Sequence, residues 1–268
     1  MNTAHNSSTP DQPRRIQIHI PDRQLSAAAA ARQRRDAGTI RIGQRDIIGM
    51  DWTAEQGVMR LDQLAALFTA LSERSVSNDA ARKTIERWTR QGWATMRTLL
   101  QGEPPYIWLT GAGMKITGHD YPAAAPSLGT LRHSRITTDI RIHLQSRYPG
   151  TSWRSERAIR ATLPRRERGS RSPHVPDGEL HGGGGHILAV ENELTAKTSS
   201  RTRAIMLGLL ARRHDYDQDE PPQPNTTPRY RAVWYYAAPE AAPTVRAAQD
   251  TLPGDLQQRL GVYDWPKT

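Results

Sequence analysis

The chain contains no cysteine. That excludes disulfide bridges, thiolate zinc sites and cysteine nucleophiles, and it leaves histidine and carboxylate as the only side chains able to hold a metal ion. There is no apolar run of transmembrane length, and the opening residues, MNTAHNSSTPDQPRR, carry no apolar core of the signal-peptide kind. The expectation is a cytoplasmic protein without a membrane partner. Lysine is scarce too, confined to Lys83, Lys115, Lys197 and Lys267. Positive charge is therefore carried almost wholly by arginine, whose planar fork suits bidentate contacts to phosphate and guanine; an arginine-favouring codon bias would give the same excess. The bias leaves the formal net charge of +10 unexplained. A surface of that sign favours an acidic polymer, although anionic lipid would satisfy it as well.

A length of 268 residues with 36% hydrophobic content accommodates two modest domains and a tail. Residues 1–40 are polar and rich in Ser, Pro, Gln and Arg, interrupted only by IQIHI at 16–20 and an alanine run at 27–31, and read as a disordered basic arm. Residues 41–120 switch to short amphipathic segments, 121–130 (with YPAAAPSLG) read as a linker, and 131–268 alternate helical and strand-like segments in the order of an α/β domain. The loop DYDQDEPPQPNTTP at 215–228 interrupts that alternation.

In RLDQLAALFTAL (60–71), Leu61, Leu64, Ala65, Leu67, Phe68 and Leu71 recur at helical spacing, with Asp62 near the start. DAARKTIERWTRQGW (79–93) follows, where Ser77 or Asn78 can cap a second helix. Its inner face is Ala81, Ile85 and Trp88, its outer face Arg82, Lys83, Glu86, Arg87 and Arg90, and Gly92 ends it. WATMRTLL and YIWLT then read as two strands around the turn QGEPP, and Thr110 as the cap of a short closing helix. This order, ending in Leu109-Thr110 and Gly113, resembles winged helix-turn-helix domains. The resemblance implies DNA binding, with Arg82, Lys83, Arg87 and Arg90 on the recognition helix and Arg97 on the wing. A basic helix that is only a solvated face is the plainer alternative.

The most informative stretch is residues 172–197, SPHVPDGELHGGGGHILAVENELTAK. GELH and HILAVENEL read as two strands joined by the glycine turn at Gly182–Gly185, which is not a P-loop because no Gly-Lys-Ser/Thr follows. On the second strand Ile187, Ala189, Glu191 and Glu193 share one face, and Leu188, Val190 and Leu194 the other. If the strands pair, Asp177 lies near Glu191 and Glu193. Three carboxylates so close repel one another unless a cation neutralises them, so Asp177, Glu191 and Glu193 are the expected ligands of Mg²⁺ or Mn²⁺. Zinc held by His174, His181 and His186 is the lesser alternative, since their spacing lacks a helical pair.

Pro176, Asp177, Glu191 and Lys197 together resemble the active-site plan of PD-(D/E)xK nucleases, with one departure: two residues after Glu191 stands Glu193, and Lys197 comes four residues later still. Trp153 to Glu156, His174 to Gly178, Ala189 to Lys197 and the arginine-rich segment beyond resemble the replication-relaxation family over about residues 45–240. That resemblance implies an α/β (α+β overall) protein, a winged helix-turn-helix followed by a PD-(D/E)xK-like mixed-sheet domain, associated with plasmids and other mobile elements. It implies Glu156, Asp177, Glu191, Glu193 and Lys197 as site residues. Arg201, Arg203, Arg212 and Arg213 would hold phosphates or face solvent, and Trp234, Tyr235 and Tyr236 would stack on bases or pack in the core.

Two functions compete. One is an Mg²⁺-dependent endodeoxyribonuclease that nicks or cleaves DNA in plasmid replication or mobilisation, with other replication proteins as partners. The other is a non-catalytic replication accessory or transcriptional regulator on the same scaffold, which the displaced lysine favours. A protein-interaction adaptor would make the basic helix incidental. No heptad seam is present, and the oligomeric state is left open.

Overall fold

A computed structural model describes residues 42–266 apart from 73, 124, 164–172 and 217–226, so the basic arm at 1–40 and most of the 215–228 loop lie outside the described residues. The protein is mixed α/β, with helices on both faces of a five-stranded mixed sheet and a smaller three-stranded sheet before it. Among the described residues no helix is long and apolar enough to cross a membrane.

The first half contains α1 (Gln44–Gln56), β1 (Met59–Arg60), α2 (Leu61–Ala70), α3 (Asn78–Arg90), β2 (Ala94–Arg97), β3 (Tyr106–Leu109) and α4 (Gly111–Thr117). Sequence alone predicted α2, α3, the β2–β3 hairpin and α4, but neither α1 nor β1. Helix α3 starts where Ser77 Oγ accepts the Ala80 N–H at 3.2 Å, and α4 where Thr110 Oγ1 accepts the Gly113 N–H at the same distance. Strand β3 runs antiparallel to both β1 and β2, with Met59 opposite Ile107 and Ala94 opposite Leu109. Ala81, Ile85 and Trp88 turn inward onto Leu64, Leu67 and Phe68, the Phe68 ring meeting the Trp88 indole edge-on at 6.3 Å. Buried Asp46 on α1 accepts from Gly43 N–H and Trp88 Nε1, both at 2.9 Å, and also pairs with Arg87.

The second half contains α5 (Leu131–Arg147), β4 (Ser152–Ser155), α6 (Glu156–Ala161), β5 (Gly178–His181), β6 (Ile187–Glu193), α7 (Ser199–Ala211), β7 (Ala232–Ala237), α8 (Ala242–Asp250), α9 (Gly254–Gln257) and β8 (Leu260–Asp264). The sheet order is β4-β5-β6-β7-β8, antiparallel across the first three strands and parallel from β6 to β8. One face packs Ala189, Val233 and Tyr235 against Met206, Leu209 and Val245. The other packs Leu180, Val190, Tyr236 and Trp153 against Ile136, Ile140 and Leu144 of α5. Strand alternation thus sorts β6 into two buried sides, the pattern of a sheet covered on both faces.

Helix α5 also holds the first half. Gln63 Nε2 donates to Arg135 O at 2.8 Å and to Asp139 Oδ1 at 2.7 Å. Arg141 pairs with Glu55 at 2.9 Å and lies 3.7 Å from the centre of the Trp52 ring. Burial pushes the Arg141 pKa down and the Glu55 pKa up, the direction expected when two charges leave water together.

Candidate functional site

Asp177 stands immediately before β5, and the packing of Gly178 sets its position. A Cβ on Gly178 would lie 1.9 Å from Trp153 Cζ2, so the indole occupies the space a side chain would need. The glycine of the PDG stretch answers to this close approach rather than to a turn with positive φ. Asp177 Oδ2 then accepts the Asn192 backbone N–H at 2.6 Å, and Asp177 O accepts the Glu156 N–H at 3.2 Å. Glu156 is the first residue of α6, which Ser155 caps by accepting the Ala158 N–H at 3.1 Å. From the opposite side, His133 in the first turn of α5 reaches Asp177 Oδ1 with Nε2 at 3.1 Å. One donor atom each from His133, Glu156 and Asp177 lies within 4.8 Å of the others, and all three residues are half-buried.

Glu191 and Glu193 do share a face of β6 and are both buried, but each carboxylate has its own partner. Glu191 Oε1 lies 2.9 Å from His174 Nε2, and Glu193 pairs with Lys197. Tyr235 stands opposite Glu191 in the parallel β6–β7 register, and its buried hydroxyl has no hydrogen-bond partner among the described residues. Burial, reinforced by the charges of Glu191, Glu193 and Asp177, pushes the phenol pKa well up. Burial likewise raises the Glu191 pKa, and Asp177 adds to the rise against the His174 hydrogen bond. Burial works the other way on His133 and His174, but the Asp177 and Glu191 carboxylates outweigh it and both imidazoles are raised.

The group with converging donor atoms among the described residues is therefore His133, Glu156 and Asp177, not the Asp177, Glu191 and Glu193 set expected from spacing. Glu191 and Lys197 act electrostatically on one another nearby. His133 was missed because it lies 44 residues from Asp177 on a different element, with no local pattern to mark it. The three histidines considered for zinc go separate ways, His174 to Glu191, His181 to Glu179 and His186 to Arg231.

A second buried cluster surrounds Glu179, which is fully buried. Its carboxylate accepts Arg229 Nη2 at 2.9 Å on both oxygens, Tyr230 OH at 2.7 Å and His181 Nε2 at 3.0 Å. Burial would raise its pKa, but these donors hold it at about 2. Asp215 joins through Arg154, which donates to both its oxygens at 2.9 Å. This cluster ties β5 to the chain entering β7, and no sequence motif signalled it.

Of the helix α3 candidates, Lys83 and Arg90 are exposed, Arg82 is half-buried, and Arg87 is partly engaged by Asp46; Arg97 is exposed on β2. Trp234 packs near Tyr148 and Tyr263, at 5.8 and 5.6 Å between ring centres, while Tyr235 and Tyr236 are core residues.

No family model, no curated protein and no solved structure matches the chain.

Proposed function

We propose that the chain is a DNA-binding protein of plasmid or mobile-element replication or mobilisation that cleaves or nicks DNA with a divalent metal. In this reading residues 41–120 act as a winged helix-turn-helix and residues 131–268 as a PD-(D/E)xK-like nuclease domain. The single observation that carries the reading is the convergence of His133, Glu156 and Asp177 from three separate elements on one half-buried point.

The residues fit a divalent ion. Two carboxylates supply the hard oxygens that Mg²⁺ or Mn²⁺ requires, and one imidazole nitrogen among them tilts the set toward Mn²⁺. The buried Tyr235 hydroxyl, without a partner among the described residues, marks a polar interior beside Glu191 that those residues leave incompletely satisfied. A bound Mg²⁺ or Mn²⁺ supplies Lewis-acid polarisation of a phosphoryl oxygen and a water of lowered pKa. Asp177 is oriented by the Asn192 N–H, whereas the Glu156 carboxylate pairs with Arg160 at 2.6 Å and would have to share that oxygen or turn the other to the ion. Glu191, raised in pKa by burial, is the group suited to holding a proton near neutral pH. Lys197 supplies positive charge for the phosphate once it leaves Glu193. Exposed Lys83 and Arg90, with Arg82, form the α3 surface offered to the major groove.

The pairing of Lys197 with Glu193 favours the second reading, a non-catalytic accessory or regulator using the same scaffold. Supercoiled and single-stranded DNA incubated with Mg²⁺ or Mn²⁺ separates the two. Nicking by the wild type, lost in Asp177→Ala with Glu191→Ala and in His133→Ala, is the expected result. Intact DNA binding without cleavage in any metal would overturn the nuclease reading and leave the accessory one.

A further inference from the structure

The glycine turn Gly182–Gly185 takes no part in the site above. It opens onto a cleft of about 450 Å³ whose lining includes Gly184, Gly185, His186, Arg229, Arg231 and Arg259. Among the described residues no carboxylate lines this cleft. Arg229 is spent on Glu179, but among the described residues no carboxylate is hydrogen-bonded to the other two guanidiniums. Arg231 is exposed and donates through Nη1 to His186 Nε2 at 3.0 Å. Arg259 Nη2 donates to Tyr230 O at 2.7 Å and Leu210 O at 3.3 Å, which fixes the guanidinium without neutralising it. Its pKa is lowered, first by burial and then by the charge of Arg213, against the opposing pull of Asp255. A cleft lined by guanidiniums, with no carboxylate in its lining among the described residues, favours an anion.

The glycines contribute room. Gly184 and Gly185 lie at φ +68° and +74°, and a Cβ on Gly185 would meet nothing within 4 Å, so the rim beside Arg231 stays low and open. The volume admits a tetrahedral anion, whether free or carried on a larger body. The cleft lies at the Ile187 end of β6, whereas Glu193 ends the same strand, so the two are separated by roughly 20 Å along the sheet at the usual strand rise.

We infer that the cleft between the glycine turn and the arginines at the start of β7 and β8 is a second binding site, separate from the carboxylate cluster, for a phosphate group, with Arg231 and Arg259 as its cationic contacts. The phosphate is that of a nucleic-acid backbone or a free phosphate, and the chemistry of recognition is the same for both.

Arg231→Ala tests this, because the side chain is exposed and among the described residues its guanidinium bonds to His186 alone, whereas Arg259→Ala would also free three backbone carbonyls. All binding is measured on the full chain in EDTA, so the result does not depend on a metal or on cleavage. Matching thermal melts of variant and wild type establish that folding is intact, and Arg231→Lys serves as a charge-preserving companion. In one arm, anisotropy of labelled duplex DNA is followed across salt concentration; loss of one phosphate contact lowers the log–log salt slope by about 1 and weakens binding several-fold. In the other, inorganic phosphate is titrated and its ³¹P line width recorded.

A reduced salt slope in Arg231→Ala, with Arg231→Lys near wild type, supports the inference and identifies the backbone of DNA as the source. An unchanged slope, with phosphate broadening seen in the wild type and lost in the alanine variant, supports it with free phosphate as the ligand. Unchanged DNA binding together with no phosphate broadening in the wild type overturns it. DNA binding that survives without cleavage would bear on the nuclease reading alone.

Discussion

Glu179→Gln should destabilise the protein by about 3 kcal/mol at neutral pH, and the deficit should shrink in acid. The carboxylate is fully buried and accepts from Arg229, Tyr230 and His181, with Arg154 at 3.6 Å completing the cationic surround. Those donors overcome burial and bring its pKa from the ordinary 4.5 to about 2. A depression of that size corresponds to about 3 kcal/mol of preference for the charged form in the folded state. Because the folded pKa lies below the unfolded one, this stability is fully present above about pH 4.5 and is lost as pH falls toward 2. The amide cannot carry the charge, and among the described residues Arg229, almost buried, would keep Asp215 at 3.4 Å as its one carboxylate. Circular-dichroism melts at pH 7 should show a midpoint lowered by roughly 6–12 °C. Melts repeated down to pH 2 should bring the two proteins together. Equal midpoints at pH 7, or a gap that stays constant through the acid range, would refute the assignment of Glu179 as a charged keystone of β5.

Gly178→Ala should cost about 1–3 kcal/mol, because its Cβ would overlap the Trp153 indole at 1.9 Å; thermal melts check this, and Trp153→Leu in the same chain should recover part of the loss. On α3, Arg90→Ala should weaken DNA binding while leaving the melting temperature unchanged, whereas Arg87→Ala should lower both, since Arg87 also pairs with buried Asp46; anisotropy and melts on the same samples separate the two effects. Glu55→Gln should destabilise by about 3 kcal/mol by leaving Arg141 buried and unpaired against Trp52, with loss of denaturant midpoint as the readout.

Local signals carried much of the architecture. The inward triplet Ala81, Ile85 and Trp88, the Ser77 and Thr110 caps and the alternation along 187–193 each reflect forces acting within a few residues, and each appears in the structure as the sequence implied. Helix α1 was not read, because its buried set includes Asp46, Gly49 and Thr53, which carry no apolar stripe. Beyond the local Gly43 N–H, Asp46 is held by partners more than forty residues away, Arg87 and the Trp88 indole. Strand β1 is two residues long and exists through its pairing with β3, which is a tertiary fact.

Residue types and spacing by themselves determined that metal chemistry here must use histidine and carboxylate, that Asp177 precedes a strand, and that Glu191 and Glu193 project from one face of the next. Strand periodicity fixes a side chain's face but says nothing about its neighbours on other elements. Only the tertiary structure decided that Glu191 is taken by His174 and Glu193 by Lys197, and that His133, brought in by α5 from 44 residues away, completes the group around Asp177. It alone decided that Arg231 and Arg259 line one cleft with the glycine turn. The reason is physical: charges act through space, so a site's chemistry is set by which elements pack together, and packing depends on the fit of whole faces rather than on any local run of residues.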